Sequence, residues 1–254
     1  MHSDVSDLIE FYDRPMGAQV RRLLAHRIRA RWRDVRGLTV IGLGYAAPYL
    51  GMFRGEAARL GAFMPAEQGY HRWPAEGAVQ SVLADEVALP LPDATVDRLM
   101  AIHLLETTNA PRQALREIWR VLSPEGKLLL VVPNRRGVWA RWDSTPFGSG
   151  QPYSRGQIER LLTGGMFAVD DCSFALSIPP LRSALLWRQA TTIERVGSAV
   201  WPVFSGVIIV EASKQMVGTI TKLKQRTIRA RLRPAVAVKT SAARLAQSRR
   251  RAAG

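Results

Sequence analysis

The chain has 254 residues, 47% of them hydrophobic, enough to bury one large core or two small ones. A single cysteine, Cys172, excludes an internal disulfide framework and a cysteine-based zinc cluster, and suits a reducing, cytoplasmic setting. The net charge of +15 is uneven: residues 212–254 hold 12 Lys and Arg and no Asp or Glu, so the basic character belongs mainly to that stretch and not to the fold.

The opening MHSDVSDLIEFYDRP is acidic and polar, unlike a secretory signal. Apolar runs such as SGVIIVEA fall well short of the roughly 20 residues that span a bilayer. From about Val5 to Trp32, Leu8, Ile9, Tyr12, Val20, Leu23, Leu24 and Ile28 recur at helical spacing, with Arg21, Arg22, Arg27, Arg29, Arg31 and Arg33 on the solvent side. Leu38–Leu43 reads as a short buried strand, followed by Gly44 and a helix through Leu50 and Met52. Leu60–Met64 and Ser81–Ala84 are the next strands, and Asp97–Leu104 the fourth. Residues 110–122 are an amphipathic helix with Leu115, Ile118, Trp119 and Leu122 on one face and Arg112, Arg116, Glu117 and Arg120 on the other. SPEGK is a turn, and Lys127–Val132 is apolar throughout, as a strand covered on both faces would be.

A loop rich in Gly, Pro, Ser and Trp spans 133–152. Ser154 then caps a helix through Leu162 that Gly164-Gly165 stops. Phe167–Ile178 and Gly206–Glu211 are the last strands, with a helical insert at about 179–203 between them. The predicted fold is therefore α/β: a Rossmann-like, seven-stranded, mostly parallel sheet with helices on both faces and an antiparallel last strand. Residues 1–37 form an N-terminal helical segment, 38–213 the α/β domain and 214–254 a basic extension.

In such a sheet a ligand lies beyond the carboxyl ends of the strands, where strand order reverses. Gly42 and Gly44 in VIGLGYAAPYL let backbone come close at that point. Three further segments carry a resemblance: Ala84–Glu106, Ala110–Asn134 and Thr145–Phe167. In order and spacing, Asp85, Leu89–Asp93, Leu105-Glu106 and Leu115–Gly126 resemble the class I S-adenosylmethionine-dependent methyltransferases, close to the type 11 group. The resemblance covers roughly 38 to 211.

It implies S-adenosylmethionine as cofactor and methyl transfer to an acceptor that the sequence does not identify. It also implies cofactor contacts at Gly42, Gly44, Tyr45, Glu67, Asp85, Glu86 and His103. The first motif departs from the family's acid-x-Gly-x-Gly-x-Gly: Gly42 stands at the acidic position, Ala46 and Pro48 at the later glycines. Loss of that acid removes one charge-assisted hydrogen bond, about 1.5–3 kcal/mol. The alternative is a methyltransferase-like binding or scaffold protein without turnover.

His103, Asp143 and Tyr153 are candidates for the catalytic role, each against a structural rival, and no metal site is expected. His71 is a weaker ionisable candidate. Trp139, Trp142, Tyr153 and Trp187 either shape the acceptor pocket or serve as core. No hydrolase triad or phosphate loop is present, which suits methyl transfer, since alignment and exclusion of water do most of that work. The basic extension reads as an amphipathic helix up to Pro234 and then a disordered stretch. It suits a non-specific anionic partner, either a membrane surface or nucleic acid, or serves only as a solubilising extension.

Overall fold

A computed structural model describes residues 4–142, 144–180 and 204–216. The insert (with Trp187), Asp143 and the extension beyond residue 216 lie outside the described residues, as do the readings made of them.

Asp4 opens helix α1 (Val5–Asp13), its carboxylate accepting from Ser6 N at 2.8 Å. Helix α2 (Pro15–Arg31) follows at once. The sequence reading ran one helix through this region. The chain breaks instead at Arg14, which is extended, because the residue before a proline avoids helical geometry while proline suits a first helical position. Two of the arginines assigned to solvent are engaged. Arg31 bonds Asp171 and Ser173, both at 2.6 Å, and Arg29 bonds Glu56 at 2.6 Å.

Strand β1 (Thr39–Gly44) leads through a tight turn into α3 (Ala47–Leu50), which continues as a 3-10 turn to Phe53. Then come β2 (Arg59–Pro65), β3 (Ser81–Ala84), β4 (Val96–Ile102), α4 (Pro111–Val121), β5 (Leu122–Pro133), α5 (Arg155–Gly164), β6 (Phe167–Ala175) and β7 (Val207–Lys214). The predicted turn SPEGK lies within β5. Residues 123–126 bulge from the ladder there, where Val96 pairs with Leu122 but Arg98 with Lys127. Ser154 caps α5 as predicted, in a reciprocal capping box with Gln157.

The seven strands run in the order β3-β2-β1-β4-β5-β7-β6. All pairings are parallel except those of β7, which is antiparallel to both β5 and β6. The last strand is thus antiparallel as predicted, but it lies one place in from the edge, which β6 occupies. Side chains alternate across the sheet. Val40, Met64, Met100, Ile102 and Leu129 pack with α1, α2 and α3, while Ile41, Leu43, Leu99, Leu128 and Leu130 pack with α4 and α5. Strand order reverses beside β1, between β2 and β4, and this places a crevice at the carboxyl ends of those strands.

Helix α4 departs from the simple amphipathic picture in one respect. Arg120 is not a solvated face residue. It donates to the carbonyls of Leu89 (3.0 Å) and Leu91 (2.9 Å), and pairs with Glu117 and Asp93. Glu117 in turn accepts from Leu89 N at 2.7 Å. Together they pin the Leu89–Asp93 turn against the helix. Arg120→Ala is expected to lower unfolding stability by about 2 kcal/mol, through loss of its bonds to the part-buried carbonyls of Leu89 and Leu91 and of its pairing with Glu117; urea denaturation measures it. The Arg120 guanidinium also holds the Glu117 carboxyl below its ordinary value. That contribution is present above the ordinary carboxylate range and is lost as pH falls through the lowered value, so the Arg120→Ala deficit should shrink in acid.

Candidate functional site

The crevice is built from four segments. The β1 turn supplies Gly42, Gly44 and Tyr45. Gly44 has φ +76, and a Cβ there would lie 2.4 Å from Ile102 O. Tyr45 N donates to that same carbonyl at 2.8 Å. At Gly42 a Cβ would meet Ala46 Cβ at 2.7 Å and Leu50 Cδ1 at 2.9 Å. Both glycines therefore have a packing reason. The first lets α3 sit close to β1, and the second lets the turn close on β4.

After β2, Glu67 is exposed while Gln68 is buried, its side-chain amide donating to His103 O at 2.8 Å. After β3, Asp85 accepts from Val87 N at 2.9 Å within its own turn, and Glu86 accepts from Thr108 Oγ1 at 2.7 Å. After β4 comes His103, with φ +52, a left-handed conformation that is strained for a residue with a side chain.

His103 is the centre of a buried polar chain. Its Nδ1 lies 3.1 Å from Glu106 Oε1, and its Nε2 3.0 Å from the hydroxyl of Tyr12 on α1. Tyr49 on α3 donates its hydroxyl to Tyr12 at 3.1 Å. As a carboxylate Glu106 can only accept, so Nδ1 carries the hydrogen donated to it, Nε2 accepts from the Tyr12 hydroxyl, and the Tyr12 oxygen accepts from Tyr49. The order is Tyr49, Tyr12, His103, Glu106. All four are nearly inaccessible: Tyr49 0%, Tyr12 2%, His103 2% and Glu106 3% exposed. Glu106 Oε2 is buried with no hydrogen-bond partner among the described residues.

Aromatic rings complete the enclosure. Tyr45 stacks on Tyr12 with centroids 5.5 Å apart, and Phe147 lies 5.0 Å from the His103 ring. Burial, then the neighbouring tyrosines, holds the Tyr12 phenol well above the ordinary range, and burial pushes Tyr45 up to about 12. These hydroxyls therefore stay neutral. Helix α1 is further tied down by Val5 N, which donates to Gln68 O at 2.7 Å.

Of the residues singled out from sequence, Gly42, Gly44, Tyr45 and His103 come together at the crevice. Glu67, Asp85 and Glu86 stand at its β2 and β3 side. Tyr153 borders it from the far side, its hydroxyl donating to Leu105 O at 2.9 Å. Of the tryptophans, Trp139 is core, donating to Ile178 O at 2.7 Å, and Trp142 is exposed. Sequence reasoning missed Tyr12, Tyr49, Glu106 and Phe147 as site residues. Tyr12 read simply as an apolar helix position, Tyr49 was given no site role, and Glu106 read as part of a motif. Nothing local says that α1 folds back over β1 and β4.

Comparison with known proteins fits this architecture. Residues 36–130 match the family model described as methyltransferase domain. Similar solved structures include an S-adenosylmethionine-dependent methyltransferase from Mesorhizobium loti, 14% identical with a TM-score of 0.54, covering 74% of this chain and 96% of that one. Another such enzyme, from Archaeoglobus fulgidus, is 15% identical with a TM-score of 0.54, covering 76% and 94%. Geranyl diphosphate C-methyltransferase from Streptomyces coelicolor is 13% identical with a TM-score of 0.52, covering 75% and 76%. At these identities the likeness speaks for the fold. No curated protein sequence matches. Among the described residues no helix is long and apolar enough to cross a membrane.

Proposed function

We propose that this chain, whose residues 36–130 match the methyltransferase-domain model, is an S-adenosylmethionine-dependent methyltransferase whose cofactor crevice is closed by Tyr12. The carrying observation is the strained, buried His103 with its Glu106 partner, standing at the end of β4 beside the strand-order reversal. A buried carboxylate–imidazole pair on a left-handed residue is costly to keep and serves no packing need that an apolar side chain would not meet better.

The crevice fits the cofactor only with Tyr12 withdrawn. As it stands, the Tyr12 ring lies against Tyr45 over the β1 turn. Once it is out, the backbone of Gly44 and Tyr45 would hold the amino-acid end. Glu67 would take the ribose hydroxyls and Asp85 with Glu86 the adenine. When bound, the cofactor supplies an electrophilic methyl group on a sulfonium. The protein's part is to align it, exclude water and accept a proton from the acceptor.

Magnitudes decide how the crevice opens. Helix α1 buries Val5, Leu8, Phe11 and Tyr12. Exposing all four costs roughly 6–12 kcal/mol, comparable to the whole of the about 8 kcal/mol that micromolar cofactor binding is worth. Swinging out Tyr12 alone costs roughly 3–5 kcal/mol: one ring, and two hydrogen bonds at about 1 kcal/mol each. A side-chain swing with α1 in place is the affordable route.

Titration calorimetry with S-adenosylmethionine and its demethylated product tests the reading. Binding to the wild-type chain is expected, and Asp85→Ala should weaken it by about tenfold, about 1.4 kcal/mol. The closed crevice also favours a second reading, a methyltransferase-like binding protein without turnover. That reading stands if neither the wild type nor Tyr12→Ala binds either compound.

A further inference from the structure

We propose that the acceptor is a hydroxyl, most simply a phenol, and that Tyr12 marks where its oxygen sits. This rests on the methyltransferase reading above and goes further, to the atom methylated and the base that frees it.

The argument starts from direction. His103 Nε2 faces the Tyr12 hydroxyl with its lone pair, at 3.0 Å, because Glu106 engages the opposite nitrogen. The same hydroxyl receives a second hydrogen bond, from Tyr49. A position that offers one acceptor and one donor to a single oxygen is matched to O–H. An ammonium has no lone pair to receive the Tyr49 hydrogen, a neutral amine has one, which the attack on the methyl group requires, and a carbon nucleophile would leave both partners unsatisfied. Phe147 beside the imidazole, and Tyr45 over the slot, make the surroundings flat and apolar.

In the closed form the Tyr12 ring, stacked on Tyr45, takes space that the cofactor needs, while its hydroxyl oxygen, beside His103, takes the place of the acceptor oxygen. When Tyr12 leaves, Nε2 and the Tyr49 hydroxyl both lose their partner and turn to the incoming hydroxyl. The acceptor oxygen gives its proton to Nε2. It forms an O–CH3 bond as the S–CH3 bond breaks, the electron pair of that bond remaining on sulfur. The resulting imidazolium is held by Glu106 until the proton passes to solvent. His103 is the catalytic base in this scheme, Glu106 a positioning residue and Tyr49 the second contact to oxygen.

The test uses the full-length chain with S-adenosylmethionine and p-cresol, the methyl ether being read by mass spectrometry, with benzylamine as the nitrogen control. Calorimetry with the demethylated cofactor runs in parallel on every variant. Ether formation is expected from the wild type, and at least tenfold faster from Tyr12→Ala at limiting cofactor. Tyr12→Phe, which keeps the ring's packing and lacks both hydroxyl bonds, should also be faster and serves if the alanine variant does not fold. His103→Asn should lower kcat by about a hundredfold with no loss of cofactor affinity. Glu106→Gln should lower kcat about tenfold with KM for p-cresol unchanged, a split that simple loss of structure would not give. The proposal is overturned if the cofactor binds and no ether forms, if benzylamine is methylated as fast as p-cresol, or if His103→Asn keeps the wild-type rate. Absence of cofactor binding to both the wild type and the Tyr12 variants would instead remove the methyltransferase reading on which it rests.

Discussion

Tyr12→Ala tightens binding of S-adenosylmethionine by a factor on the order of 10²–10³, while lowering the stability of the free protein. Both effects come from the same ring. In the closed form Tyr12 is 2% exposed and hydrogen-bonded to both Tyr49 and His103. Holding it there is worth roughly 3–5 kcal/mol, and a ligand that needs its space binds with an affinity reduced by the fraction of molecules in which that space is vacant. Deleting the ring removes this competition. It also leaves a cavity in a core shared with Phe11, Tyr45 and Phe147, at a cost of about 3–5 kcal/mol in unfolding free energy. Tyr12→Phe separates the two: packing is kept and only the hydrogen bonds go, so affinity should rise by about tenfold with a smaller loss of stability. Calorimetry with denaturant unfolding of the same samples checks both. Equal cofactor affinity in wild type and Tyr12→Ala would show that Tyr12 does not stand in the cofactor's place.

The second large effect lies beneath it. Gly44→Ala should lower unfolding stability by about 3 kcal/mol or more. Its φ of +76 is unfavourable for any residue with a Cβ, and that Cβ would sit 2.4 Å from the backbone carbonyl of Ile102, which cannot yield without moving β4. Gly42→Ala should cost less, about 1–2 kcal/mol, because one of its two nearest atoms is the flexible end of Leu50. Urea midpoints of the two variants measure the difference. A Gly44→Ala protein as stable as wild type would mean that the turn can relax, leaving ligand approach as the glycine's main reason.

These glycines show what the sequence carried and what it withheld. The pattern VIGLGY announced a strand and a tight turn, and both are present. Which atoms the glycines make room for was not legible, because Ile102 lies 58 residues further on, and only the parallel pairing of β1 with β4 brings it there. The strands were readable because each buried run is nearly unbroken: Leu99–Ile102 and Leu128–Val132 admit no polar residue. The break at Arg14 was legible in the Arg-Pro pair but was outweighed by the helical spacing on either side. Glu106 and Tyr12 were out of reach. A carboxylate three residues after a histidine is a common pairing, and a tyrosine in an amphipathic helix is ordinary. They become a site only when α1 folds back across the ends of β1 and β4.

The placement of β7 bears on how the protein is made. During synthesis β6 emerges before β7, yet it has no neighbour in the sheet other than β7, and β5 has none on that flank. Until residues 207–214 leave the ribosome, the nascent protein therefore carries two open strand margins, one of them the wholly apolar Leu128–Val132. A stop codon placed before Val207 should yield chains that clump through those margins, and the same stop placed after Met216 should spare them.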